Sequence, residues 1–107
     1  MGRASKRKPA RLAEKLLQIR TTFGLSQNEM IRRLGLDDDL LQGDISGYEL
    51  ATRIPPLTVL LAYADAAGVY IDVLVDDRLD LPAKLPAQPK SAGIRRPSAR
   101  VTRRGKV

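Results

Sequence analysis

The chain has 107 residues, and its nineteen lysines and arginines outnumber its twelve acidic residues to give a net charge of +7. That length supports one small domain with tails. Cysteine and histidine are absent, which excludes disulfides and thiolate metal sites and removes the commonest general base and zinc ligand. We therefore expect no enzyme, no metal site and no other cofactor.

A membrane-spanning segment is not expected either. The longest apolar stretch, residues 57–64, is far shorter than the ~20 residues that cross a bilayer. The basic N-terminus lacks the apolar segment of a secretory signal. These features predict a cytoplasmic protein with no membrane partner.

The first predicted helix has one apolar face. Its residues Leu12, Leu16, Ile19 and Phe23 recur at i, i+4, i+7 and i+11, which is the spacing of an amphipathic helix. Gly24 follows, as a glycine commonly does after the last helical turn. We expect this face to pack on the core.

The second predicted helix begins at a capping box. Ser26 and Glu29 have the S-x-x-E spacing, in which each side chain accepts a hydrogen bond from the other residue's backbone N–H. The helix is predicted to span about residues 27–34 and to end at Gly35. Its predicted buried residues are Met30, Ile31 and Leu34.

Three further helices are predicted. The third is predicted to place Ile45 and Tyr48 inward, and no single residue marks its start. Pro55-Pro56 then interrupts the helical pattern. Residues 71–75 are predicted to form a short fifth helix, with Val73 and Leu74 as lids on the core. The fourth has an apolar face that we assign to Leu57, Leu60, Leu61, Ala64 and Ala67.

The charges are distributed unevenly along the chain. Residues 12–80 hold six basic and all twelve acidic residues, a net charge of −6, whereas residues 1–11 carry +5 and residues 81–107 carry +8. After residue 80, prolines and small residues replace the apolar periodicity, and such a segment buries too little surface to fold. We predict a basic disordered arm at 1–8, a folded domain at 9–80 and a basic, proline-containing disordered tail beyond it.

Several short motifs lie between residues 12 and 77. They are Ile19-Arg20, Gly24-Leu25-Ser26-Gln27, Leu34-Gly35-Leu36, Ile45-Ser46-x-Tyr48-Glu49, a proline near 55, Leu60-Leu61-x-x-Ala64 and Gly68-Val69. Together they resemble the Cro and lambda-repressor (XRE-type) helix-turn-helix family. The resemblance implies an all-α, five-helix lambda-repressor-like domain that binds double-stranded DNA with its third helix in the major groove. It also implies a homodimer, formed through the fifth helix and Leu74.

The resemblance further implies a DNA-binding surface. Gln42 in the third helix is the best candidate for a base contact, since an amide can pair with N6 and N7 of adenine. The alternative is an exposed glutamine at the helix start with no ligand. Asp44 could accept from N4 of cytosine, although an acid there more often discriminates than attracts. Arg20 and Glu49 match positions that form a structural ion pair between the first and third helices. The other expected contacts are Gln27 and Asn28 in the second helix, Gly43, Ser46 and Gly47 in the third, and, from their charge, the arm residues Arg3, Lys6, Arg7 and Lys8.

Three features depart from the family pattern. The chain between Gly35 and Ile45 is about four residues longer than usual, and three aspartates at 37–39 would repel phosphates, although one could cap the third helix. Gly47 stands where the family often has a basic residue, and Leu50-Ala51 stand where it often has Arg-Gly. The glycines of the third helix either permit a close approach to DNA or reflect a helix that no longer reads it.

These observations lead to one expected function and two alternatives. We expect a sequence-specific DNA-binding transcriptional regulator whose basic tails add phosphate contacts. The first alternative is a protein-interaction module, for example an antitoxin-like partner, on the same fold. The second is a non-specific nucleic-acid binder that acts through its tails.

Overall fold

The computed structural model describes residues 9–85. Within them it contains five α-helices and no strand, so the predicted all-α class is confirmed for this part of the chain. The predicted arm at 1–8 and residues 86–107 lie outside the described residues. The helices are α1 (Leu12–Thr22), α2 (Gln27–Leu34), α3 (Gln42–Glu49), α4 (Leu57–Ala67) and α5 (Ile71–Val75).

The five helices share one apolar core. α3 contacts both α1 and α2, while α4 contacts α1, α2 and α5. Tyr63 of α4 and Leu74 of α5 have no exposed surface. The prediction that Leu74 covers the core is confirmed. The expected dimer contact through this side chain is corrected, because it packs inside its own chain. The remaining core residues are Leu12, Leu16, Ile19, Met30, Ile31, Leu40, Ile45, Tyr48, Val59, Leu60, Ala64 and Ala67.

The ends of α1 and α2 follow the local sequence. In the capping box, the Glu29 N–H donates to Ser26 Oγ at 3.1 Å and the Ser26 N–H donates to Glu29 Oε1 at 2.8 Å. The hydrogen bond from the Ser26 backbone N–H lowers the pKa of the Glu29 carboxyl. Gly24 and Gly35 have φ angles of +70° and +73°, a conformation that strains residues with a side chain. Both predicted helix ends are confirmed.

The buried face of α4 differs from the predicted one. Leu57 and Leu61, which we assigned to the core, are 71% and 52% exposed, and Val59 and Tyr63 are buried in their place. This helix is apolar on almost all sides, so spacing alone did not determine its orientation. The other three predicted core residues of α4, Leu60, Ala64 and Ala67, are buried.

No helix of residues 9–85 is both long and apolar enough to cross a membrane.

The acidic insertion forms a turn that leads into α3. The backbone N–H groups of Asp39 and Leu40 both donate to the Leu36 carbonyl at 2.9 Å, and Leu40 is buried in the core. Leu41 follows this turn and occupies the N-cap position of α3. The expected aspartate N-cap is therefore corrected. The acidic residue that binds the start of α3 is Asp44, whose carboxylate accepts the Leu41 N–H at 2.9 Å.

The start of α1 is bound to the segment that follows α5. Asp77 accepts the backbone N–H groups of Ala10 and Arg11 at 2.9 and 3.0 Å. The buried ammonium of Lys15 donates to three carbonyls within residues 73–79 at 2.7 to 3.0 Å, and burial lowers the pKa of this side chain. These contacts join residues that are 58 to 67 positions apart. They close the two ends of the described body onto each other.

The folded body extends beyond residue 80. Leu81 and Leu85, which the sequence placed in the disordered tail, pack against the core. Arg11 also donates to the Asp80 carboxylate at 2.7 Å. Side chains that cover the core therefore continue to residue 85.

Candidate nucleic-acid interface

An ion pair joins α1 to α3. Arg20 Nε and Nη2 donate to the two carboxylate oxygens of Glu49 at 2.7 and 2.9 Å. The two side chains are 17% and 5% exposed. The paired carboxylate raises the pKa of Arg20, and the two-bond contact fixes the orientation of both groups. The structure thus brings together the two residues expected to pair.

Two glutamines extend this ion pair to the surface. Gln27 Nε2 donates to Glu49 Oε1 at 3.1 Å, and Gln42 Nε2 donates to Gln27 Oε1 at 3.1 Å. A carboxylate only accepts, so Glu49 sets the direction of the Gln27 amide and, through it, that of Gln42. Gln42 is exposed at the first residue of α3. We call Arg20, Glu49, Gln27 and Gln42 the polar chain. The Oε1 atom of Gln42 and one of its Nε2 hydrogens make no bond within it.

The other residues expected to contact DNA from α2 and α3 differ in exposure. Asn28 and Gly43 are exposed, and a methyl group added at Gly43 would meet no atom within 4 Å. Ser46 is half-buried. Asn28 and Gly43 therefore lie open to a ligand, whereas Ser46 is only partly accessible.

Asp44 is directed towards its own chain. Its Oδ2 accepts the Leu41 N–H at 2.9 Å, and its Oδ1 accepts a hydrogen bond from Arg53 Nη1. The Leu41 N–H, followed by the charge of Arg53, lowers the pKa of this carboxyl. The carboxylate is charged and both of its oxygens have partners. The expected contact from Asp44 to cytosine would require it to release one of them.

Gly47 does not lie open on the outward face of α3. It is buried, because the side chain of Arg53 crosses it. A Cβ added to Gly47 would lie 2.6 Å from Arg53 Cδ and 2.9 Å from Cγ. The expectation that Gly47 faces DNA is therefore corrected, since Arg53 fills the space of the missing side chain. Sequence reasoning missed Arg53 because it lies in the loop after α3 and not on the helix.

The loop after α3 also lies beside the start of the described body. Ala51 has a φ of +65°, in the left-handed region that favours glycine. Pro9 lines a pocket of about 200 Å³ together with Tyr48, Arg53 and Ile54. The chain therefore enters the described body next to Arg53. The expected arm contacts Arg3, Lys6, Arg7 and Lys8 lie outside the described residues.

The carboxylates near residue 80 bind arginine side chains and backbone N–H groups. Arg78 donates to Asp76 at 2.7 Å and lowers the pKa of that carboxyl to about 2. Asp77 and Asp80 bind the start of α1. Among residues 9–85, no group of three His, Cys, Asp or Glu side chains is arranged to hold a metal ion.

Comparison of the chain with protein-family models, curated proteins and solved structures finds no significant match.

Proposed function

We propose that this protein is a sequence-specific DNA-binding transcriptional regulator of the Cro and lambda-repressor-like helix-turn-helix type, with α3 as the recognition helix. The observation that supports the proposal is the polar chain. It connects an exposed amide at the start of α3 to a largely buried ion pair between α1 and α3. A group that reads a base is effective when its orientation is set before the ligand binds.

Gln42 is the base-reading residue in this proposal. An amide pairs with adenine by accepting from the N6 amino group and donating to N7. Gln42 has both an acceptor and a donor outside the polar chain. Residues in the N-terminal part of a recognition helix reach the base edges, and Gln42 is the first residue of α3. Asn28 is exposed on α2 and would contact the DNA backbone.

The basic ends supply phosphate contacts in this proposal. Residues 9–85 hold eight basic and twelve acidic residues, a net charge of −4, whereas residues 1–8 carry four basic residues and residues 86–107 carry seven. Neutralisation of phosphates by such charges drives sequence-independent affinity. The arm joins the body at Pro9, beside Arg53, so it is attached next to the loop that follows α3.

Selection from a randomised pool of DNA duplexes tests the proposal. The full 107-residue chain at about 0.15 M salt should enrich one motif. Gln42→Ala should reduce the preference for one adenine by roughly 5- to 100-fold. Gln27→Ala should affect the same position, because Gln42 then loses the group that orients it.

The matched control is Gln18→Ala, which removes an exposed glutamine of α1 outside the polar chain and should leave the motif unchanged. If the unsubstituted chain enriches no motif, the proposal is wrong.

A protein-interaction module is the second candidate function. Leu57 and Leu61 are exposed one helical turn apart on α4, and the aspartates at 37–39 are exposed before α3. An apolar stripe is typical of protein-binding surfaces, and an acidic turn repels phosphates. This candidate predicts no enriched DNA motif, together with a cross-linked protein when a photoreactive side chain replaces Leu61 in cells.

A further inference from the structure

Arg53 belongs to the loop after α3, but its side chain lies against α3 itself. The Cδ and Cγ atoms cross the helix at Gly47, where any Cβ would overlap them. The guanidinium then reaches the Asp44 carboxylate in the first turn of the helix. The glycine at position 47 is therefore what allows an arginine from the loop to lie on the outward side of α3.

Asp44 fixes the guanidinium at that place. One of its oxygens accepts the Leu41 N–H and the other accepts from Arg53, so the carboxylate has little freedom to rotate. Asp44 is the third residue of α3, two positions after Gln42. Arg53 thus presents a positive group beside the helical turn whose residues reach base edges in a recognition helix.

The bound guanidinium retains unused donors. Arginine has five N–H donors in a planar fork, and the contact with Asp44 uses Nη1. More than half of the Arg53 side chain is exposed, at 57%. The remaining N–H groups are therefore accessible in a fixed orientation. A pair of parallel donors matches the O6 and N7 acceptors of guanine, which is the commonest specific contact between proteins and the major groove.

We infer that Arg53, held by Asp44 across Gly47, recognises a guanine in the DNA site that α3 binds. This inference rests on the proposed DNA-binding function. Asp44 acts as a positioning residue and makes no base contact of its own. Because Gly47 has no side chain, the Arg53 side chain can cross α3 at this position. Arg53 thereby supplies a positive group that the helix itself lacks at position 47.

Selection of DNA sites by the full chain, carried out with four substitutions, tests the inference. Arg53→Lys keeps the charge but loses the planar fork, so the preference for one guanine should fall roughly 5- to 100-fold. Asp44→Asn should reduce the preference at the same position. Gly47→Ala should do so as well, although Arg53 itself is retained, because the added Cβ displaces the arginine side chain.

Gly43→Ala is the matched control for the structure of α3, since it adds the same methyl group where no atom lies within 4 Å. The control for DNA selection is Arg78→Lys, the same change in an exposed arginine that binds Asp76 after α5, and it should preserve the guanine preference. Both alanines favour helix formation over glycine, so neither variant should have a lower midpoint of thermal unfolding. A readout without DNA is the titration of the Asp44 carboxyl by NMR. Its pKa should rise in Gly47→Ala and stay unchanged in Gly43→Ala.

The outcomes separate the inference from the function on which it rests. A motif that keeps its guanine in Arg53→Lys and Gly47→Ala, with binding weakened equally at every sequence, would make Arg53 a phosphate contact and overturn the inference alone. An unchanged Asp44 titration in Gly47→Ala would also overturn it, because Arg53 would then not cross position 47. Absence of any motif with the unsubstituted chain would overturn the proposed function and the inference together.

Discussion

The hydroxyl of Tyr63 is a buried polar atom without a hydrogen-bond partner among the described residues. The side chain has no exposed surface, and burial raises its pKa. An unpaired buried hydroxyl costs about 1–3 kcal/mol, while the aromatic ring fills the centre of the core. The ring and the hydroxyl therefore have opposite effects on stability.

Tyr63→Phe should keep the free energy of unfolding unchanged or raise it by up to about 1 kcal/mol, because only the unpaired hydroxyl is lost. Urea unfolding followed by circular dichroism measures the change. Tyr63→Ala is the comparison, and it should lower the free energy of unfolding by about 3–5 kcal/mol through loss of the ring. A loss of more than about 1 kcal/mol in Tyr63→Phe would instead indicate that the hydroxyl has a partner, such as a buried water.

Between helices, the ion pair of Arg20 and Glu49 sets the position of α3 against α1. Glu49→Ala leaves the guanidinium without its carboxylate in a site where little of either side chain is exposed. The free energy of unfolding should fall by about 3–5 kcal/mol, measured by urea unfolding. Replacement of both partners by apolar residues, Arg20→Met with Glu49→Leu, should recover part of that loss.

The control for this pair is Glu14→Ala, which removes a carboxylate of α1 that is 63% exposed and should have little effect on stability. If Glu49→Ala behaves like Glu14→Ala, water screens the Arg20–Glu49 pair and the prediction is wrong.

The junction between α1 and the segment after α5 predicts how stability depends on pH. The Ala10 and Arg11 N–H groups lower the pKa of Asp77, and Arg78 lowers that of Asp76 to about 2. Carboxyls whose pKa is lower in the folded state stabilise it above their unfolded pKa of about 3.9. That stabilisation is lost as the pH falls from about 4 towards 2.

Asp77→Asn should therefore unfold at a lower urea concentration than the unsubstituted chain at pH 6, and the difference should shrink as the pH approaches 2. Urea midpoints measured between pH 6 and pH 2 give this comparison. Asp38→Asn, in the exposed turn before α3, should show no such change. A constant difference across this range would mean that Asp77 does not bind the start of α1 as a carboxylate.

Local patterns were sufficient to predict most helix ends. The capping box at Ser26 and Glu29 and the glycine at 35 act within three or four residues, so their sequence spacing already contains the geometry. The same argument failed for α4, because apolar residues surround it and no single face stands out. After residue 80, Leu81 and Leu85 lack a periodic pattern but still cover the core.

Contacts between distant segments could not be predicted from spacing. Lys15 donates to the Val73 carbonyl, and Asp77 accepts the Arg11 N–H. Both contacts form only when folding brings these distant segments together. Arg53 covers Gly47 because the loop turns back on α3, and no local pattern marks that turn. The contact of Arg20 with Glu49 was expected only through the family resemblance, since the two residues are 29 positions apart.

Over the whole chain, positive charge is concentrated outside an acidic body. Residues 9–85 carry a net charge of −4, and the two flanking segments together carry +11. The described body has its own core, to which Leu81 and Leu85 contribute. A shortened chain of residues 9–85 should therefore fold, whereas shortening at residue 80 would remove two side chains that pack on the core.

The salt dependence of DNA binding tests how much of the affinity comes from the flanking segments and how much from residues 9–85. If about six charges of the flanking segments neutralise phosphates, the plot of log K against log salt for the full chain should have a slope of about −5. The 9–85 chain should bind more weakly, with a slope closer to zero, but should keep the selected motif. Helical circular dichroism of this shorter chain verifies that it is folded. If α3 reads bases, the 9–85 chain should keep a sequence preference without the flanking charges. Loss of all binding by a folded 9–85 chain would therefore favour the non-specific tail binder.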